Sequence, residues 1–162
     1  MRAIRAAGAA VLCVAGAAGA AWAQAPAAKP LATVATNQKG VSLDLMAVER
    51  KGSILTVKWA VRNEGAANAQ VSFYLIGKQQ TTYTLDEDSG TKYYVLTDKE
   101  KNSLASEHVY IGYDSYGISQ YVNKGETGRF WAKYPAPPPA VKTISLFFTD
   151  TEPIEGVAIT DK

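Results

Sequence analysis

The sequence predicts an all-β protein, an antiparallel two-sheet β-sandwich of about seven to nine strands. Three observations point there. From Val41 onward the dominant hydrophobic period is two, the spacing at which alternate side chains share one face of a strand. Turn-forming residues interrupt that pattern at short intervals. No segment repeats apolar residues every 3.6 positions over two or more turns, so helices do not separate the strands.

The chain opens with MRAIRAAGAAVLCVAGAAGAAWAQA. Arg2 and Arg5, then an apolar stretch, then Ala21-Trp22-Ala23 as an A-x-A cleavage site, read as a signal peptide over residues 1–23. The expected location is periplasmic or secreted. Cys13 is preceded by Ala-Val-Leu inside the apolar stretch, which argues against lipidation there. Cleavage would remove the only cysteine and two of the 17 basic residues, leaving 15 against 15 acidic ones (17 − 2 = 15). A balanced charge argues against nucleic acid or an anionic membrane as the main partner. No later stretch is apolar enough for an integral membrane segment. Without cysteine, stability must come from the core.

Residues 24–40 read as a flexible Pro/Ala-rich tether, and residues 41–162 as the sandwich domain. VSLDLMAV (41–48) is the first strand, and Arg50-Lys51-Gly52-Ser53 turns the chain into SILTVKWAV. There Leu55, Val57, Trp59 and Val61 face the core, while Thr56, Lys58 and Arg62 face out. Asn63-Glu64-Gly65 ends the run, and VSFYLI (71–76) follows as a strand. TTYTLDEDSGTKYYVL reads as a hairpin with its tip at Asp86–Gly90, and NKGET (123–127) as a turn. Such short, turn-linked strands favour an immunoglobulin-like arrangement.

In GRFWAKYPAPPPAVKTISLFF (128–148), Phe130, Ala132 and Tyr134 form an inner row, as do Ile144, Leu146 and Phe148. Trp131 and Phe147 fall on the outer faces, within diagonal reach of each other if the two strands pair. Pro135-Ala136-Pro137-Pro138 has the letters of a PxxP ligand. Its position between two strands favours a rigid turn instead, because proline fixes φ and ends a hydrogen-bonded ladder.

LDEDSGTKYYVLTD, KGETGRFWAKYPAPP, TISLFF and PIEGVAI resemble an uncharacterised family of bacterial periplasmic immunoglobulin-like domains, found alone or ahead of OmpA-like domains. The resemblance implies an antiparallel sandwich with no established catalytic residues, serving as an interaction module of the envelope. Wall anchorage is not part of that expectation, since no OmpA-like segment is read before Lys162. SEHVYIGYDSYGISQYV (106–122) is longer and richer in tyrosine than the resemblance implies.

That segment supplies the first candidate binding residues, Tyr110, Tyr113 and Tyr116, with Tyr121 beside them and Gly112 and Gly117 allowing the backbone to bend. Exposed rings of this kind pack on sugar faces or fill a partner's groove; as strand residues, Tyr110 and Tyr121 equally suit sheet margins. Trp131 and Phe147 are the second choice. Asp86 and Asp88, at the tip Asp86–Gly90, have the two-residue acidic spacing of a calcium loop, but position twelve from Asp86 is Thr97. A solvated turn explains the same letters. His108 is the sole histidine; Ser106, Asp114 and Ser115 lie near it, without a nucleophile-elbow pattern. The expectation is a non-enzymatic module, without a required cofactor, that binds an envelope protein or wall polymer. The alternative is a carbohydrate- or calcium-binding domain using segment 108–122 or the acidic tip.

Overall fold

The computed structural model describes residues 29–162. The expected signal peptide and the start of the expected tether lie outside the described residues. The described residues are all-β, with twelve strands instead of the seven to nine expected. They are β1 (Ala32–Ala35), β2 (Val41–Lys51), β3 (Ile54–Asn63), β4 (Ala69–Gly77), β5 (Tyr83–Asp86) and β6 (Thr91–Tyr93), then β7 (Val109–Gly112), β8 (Ser115–Val122), β9 (Thr127–Pro135), β10 (Thr143–Phe147), β11 (Ile154–Ala158) and β12 (Thr160–Asp161). The extra strands include the short β1 and β12, of four and two residues, too short for a period-two pattern to register, whereas β5 and β6 form the expected hairpin.

Three sheets form. Sheet I has the order β1-β2-β3-β9, with β12 also on β2; sheet II is β11-β10-β5-β6; sheet III is β4-β8-β7. All pairings are antiparallel except β12 on β2. Among the described residues no helix is long and apolar enough to cross a membrane.

The β2–β3 hairpin closes with Lys51 opposite Ile54, so its loop is only Gly52-Ser53. Gly52 has φ +57, the positive angle that a type II′ turn needs at its first central residue. The inner rows of β3, β9 and the β10 strand are as expected, with Leu55, Val57, Trp59, Val61, Phe130, Ala132, Tyr134, Ile144, Leu146 and Phe148 all buried. Trp59 is their hub: its ring lies 5.2 Å from Phe73, 6.0 Å from Phe130 and 5.1 Å from Phe148. Because Phe73 belongs to sheet III and Phe148 directly follows a strand of sheet II, this cluster ties sheet I to both others through one core. The Trp59 Nε1–H has no hydrogen-bond partner among the described residues.

Three expectations need correction. Part of the expected flexible tether is a strand: β1 pairs with β2, Thr33 standing opposite Asp44, and Ala32 and Val34 pack on the core margin. Its Ala-Thr-Val-Ala alternation is strand-like, but a four-residue run beside prolines gives little sequence signal. Next, β9 and β10 do not pair: β9 lies on β3, and β10 between β5 and β11. The prolines carry the chain from sheet I to sheet II, so Trp131 and Phe147 belong to different surfaces. Finally Ser145, which the strand pattern sets on the outer row beside Phe147, is buried. Its hydroxyl donates to Glu87 Oε1 and accepts from Gly156 N–H, where β11 bulges around it.

The proline stretch is held by a residue that the sequence assigns to a turn. Arg50 lies within β2 and is buried. Its Nη1 donates to the carbonyls of Pro137 (3.2 Å), Pro138 (2.9 Å) and Val141 (3.1 Å). Its Nε and Nη2 donate to the two carboxylate oxygens of Asp161 in β12, at 2.6 and 3.1 Å. One planar guanidinium thus fixes the proline corner and the C-terminal strand together, a task suited to its fork of donors. Pro137 itself is buried, unlike an accessible PxxP ligand.

Candidate functional site

The tyrosine-rich segment folds as the β7–β8 hairpin at the outer side of sheet III. Gly112 pairs with Ser115, which leaves Tyr113-Asp114 as a two-residue loop. Both residues have φ +54. Positive φ at both central positions is what a type I′ turn requires, and it ordinarily selects Asn-Gly. For tyrosine the left-handed region costs roughly 1 kcal/mol or more, whereas aspartate visits it more readily. Gly112, at φ +106, takes a conformation that side chains rarely adopt.

Contacts with the end of β4 hold the turn in this shape. Ser115 Oγ donates to Tyr113 O and accepts from Gln79 N–H, and Lys78 Nζ lies 2.6 Å from Asp114 Oδ2. A Cβ on Gly77 would meet Asp114 O at 2.1 Å, so only glycine permits this approach. Tyr113 is left 73% exposed at the tip.

Behind the tip, Tyr110 and Tyr116 stand opposite each other across the two strands, edge to face at 5.4 Å. The His108 ring stacks on Tyr116, 4.9 Å away and nearly parallel at 3°. His108 Nδ1 accepts the Ser103 N–H at 2.9 Å and lies 3.0 Å from Ser103 Oγ. With Nδ1 accepting a backbone proton, the ring's own proton sits on Nε2. Two of the sequence candidates, Tyr110 and Tyr116, therefore form one cluster with His108, and Tyr113 stands at the tip of the same hairpin. Tyr121 is exposed on the same sheet, paired with Gln70 of β4.

Trp131 and Phe147 are apart from this cluster and from each other. Trp131 is exposed on sheet I, with Lys133 Nζ 5.7 Å from its ring centre. Phe147 stacks on Tyr83 at 4.6 Å and 11°, and Tyr94 and Lys92 also contact Tyr83. Tyr83 and Tyr94 escaped the sequence reading because their approach to Phe147 depends on β5 lying next to β10, a pairing across about sixty residues.

Asp86 and Asp88 flank the β5–β6 turn as expected. Asp86 is buried, and its carboxylate accepts from Asp88 N–H at 3.2 Å and from Ser89 Oγ at 2.6 Å, the hydrogen bonds of an Asx turn. A polar cleft of about 240 Å³ separates this turn from Lys142 and Thr143. Among the described residues no group of three His, Cys, Asp or Glu side chains is placed to hold a metal ion.

The residues flanking His108 in sequence have other partners. Ser106 exchanges hydrogen bonds with the Trp131 backbone, Ser115 supports the hairpin turn, and Asp114 meets Lys78. Segment 104–106 thereby covers the open edge of β9, with Leu104 O accepting Lys133 N–H and Ser106 N–H donating to Trp131 O, which shields that edge from added strands. By contrast β7, the outer strand of sheet III, makes no backbone hydrogen bond beyond its pairing with β8 among the described residues. Comparison of the sequence with protein-family models and with curated proteins finds no match.

Proposed function

We propose that this chain is a non-enzymatic, exported module of the bacterial envelope, an immunoglobulin-like sandwich that binds an envelope protein or wall component through its β7–β8 hairpin. The observation that carries this reading is the hairpin tip. Two consecutive non-glycine residues, both at φ +54, leave Tyr113 73% exposed at the tip of the hairpin whose strands carry the Tyr110, Tyr116 and His108 cluster. A turn serving stability alone would favour Asn-Gly there. Strain kept at a protruding aromatic is the mark of a contact site. The edge of β7 offers backbone groups beside the rings, so a partner can add a strand while its side chains meet the tyrosines.

The export part of this reading rests on the pattern of residues 1–23. The non-enzymatic part is supported by the surroundings of His108: its nearest hydroxyl, Ser103 Oγ, is buried and bonded to Glu107 O. A calcium role is disfavoured because the Asp86 carboxylate already closes its own turn.

Tyr113→Asn separates stability from binding. The substitution should raise unfolding stability by about 1 kcal/mol, since asparagine tolerates the left-handed region that tyrosine does not. It should also abolish capture of the partner from envelope extract, whereas Tyr94→Ala, just after β6, should not. Thermal melts and paired pull-downs measure the two effects. Equal recovery by wild type and Tyr113→Asn would remove the hairpin from the binding surface.

A further inference from the structure

A second surface lies on sheet I, apart from the hairpin, and its charges are one-sided. The outward positions of β3 are Ile54, Thr56, Lys58, Ala60 and Arg62; those of β9 are Thr127, Arg129, Trp131, Lys133 and Pro135. The register sets Lys58 beside Trp131, Ala60 beside Arg129 and Thr56 beside Lys133. Ten outward positions on two paired strands thus hold four cations, one tryptophan and no acid. Two of the cations have counter-charges on the flanks: Arg62 meets Asp44 and Glu64, and Lys58 meets Glu49. Arg129 and Lys133 have no ion-pair partner among the described residues.

Beside them is a shallow cleft of about 550 Å³, with Met46 and Ala60 in its lining and Lys29, Arg62 and Arg129 around it. Ala60 is only 5% exposed although it points outward, because the longer neighbouring side chains rise above it. Asp44 also lines the cleft, but its carboxylate is taken by Arg62 (2.6 and 3.4 Å) and by the Thr33 hydroxyl (2.6 Å). The cleft therefore offers an uncompensated guanidinium over a small, apolar floor.

We propose that this face binds an acidic polysaccharide, with Arg129 taking a sugar carboxylate and Trp131 stacking on a sugar ring. Arg129 and Trp131 lie two residues apart on one strand face, roughly 7 Å, so neighbouring units of an extended polymer reach both. A guanidinium fork matches a carboxylate in two hydrogen bonds, and Lys133, held over the tryptophan, adds a second positive charge at the ring. Two free cations beside one aromatic suit a polymer with spaced acids. A nucleic acid or an anionic bilayer calls for a dense cationic field, which the balanced charge of residues 24–162 does not supply.

The test is calorimetric titration of the folded protein with polygalacturonate, with its fully methyl-esterified neutral form, and with phosphatidylglycerol vesicles. Wild type should bind polygalacturonate at least about tenfold more tightly than the ester, a difference of about 1.4 kcal/mol. Arg129→Gln/Lys133→Gln and Trp131→Ala, each with an unchanged circular dichroism spectrum, should each weaken binding about tenfold, while Tyr113→Ala should leave it intact. The proposal fails if polygalacturonate does not bind, if the ester binds equally, or if neither sheet I variant weakens binding. Loss of binding in Tyr113→Ala alone would move the site to the hairpin, and binding to the vesicles but not to polygalacturonate would make the ligand a membrane. Either would overturn it.

Discussion

Replacing Phe130 with alanine is expected to cost about 3 to 5 kcal/mol, whereas Trp131→Ala, one residue further along the same strand, should cost less than about 1 kcal/mol. Phe130 is 3% exposed, with its ring 6.0 Å from Trp59 and 5.5 Å from Phe73, so truncation leaves a cavity where two layers meet. Neighbouring rings that pack on one another from different sheets cannot close that space without moving a strand. Trp131 is 39% exposed and rests mainly against Lys133. Urea denaturation of the two variants measures the difference. Similar costs, or the reverse order, would mean that β9 presents its other face to the core.

Arg50→Ala should be the second large loss, about 3 kcal/mol, from one surface-charge type of residue in a chain with many. Three carbonyls of the proline corner lose a charged donor; a hydrogen bond to a charged group contributes about 1.5 to 3 kcal/mol net, and here the two hydrogens of one Nη1 are shared among the three. Asp161 is half exposed and rehydrates, so it adds little to the cost. Arg50→Lys should restore only part of the stability, because an ammonium cannot form the planar fork. The pair also sets an acid response. The Arg50 hydrogen bond holds the Asp161 carboxyl below its ordinary pKa of 3.8, so the contribution is present above that pH and fades as pH falls through the lower folded value. Wild type should therefore lose stability more steeply than Arg50→Ala as pH falls below the ordinary carboxylate range. A proline corner and β12 that keep wild-type hydrogen-exchange protection in Arg50→Ala would contradict the role given to this side chain.

What the sequence made legible follows from which forces act locally. The rows Leu55-Val57-Trp59-Val61 and Phe130-Ala132-Tyr134 could be read because the pleat imposes a period of two on any half-buried strand, whatever its partners. The hairpin tips at Gly52 and Gly90 could be read because their positive φ values demand particular residues. Pairing was another matter. β9 and β10 are consecutive, yet they lie in different sheets, since the partner of each is set by contacts far along the chain. Arg50 looked like part of a turn because nothing near it in sequence announces Asp161, 111 residues away.

The candidate site was legible in part for the same reason. Its tyrosines and glycines are clustered in sequence, and a hairpin keeps such residues together in space. The strained turn was not foreseen, because Tyr113-Asp114 is a poor type I′ pair by propensity and is held there by Lys78, Gln79 and Gly77 from another strand. Phe147 was matched with Trp131 on the assumption that their strands pair; its neighbours are Tyr83 and, through it, Tyr94.

The most direct test of the account places a photo-crosslinking benzoyl-phenylalanine at position 113, and separately at exposed position 94 just after β6, in protein exported by living cells. Illumination should give a discrete adduct from position 113 and none from position 94. No adduct at 113, or the same adduct from both positions, would contradict the claim that the sandwich is a scaffold for contact at its β7–β8 tip.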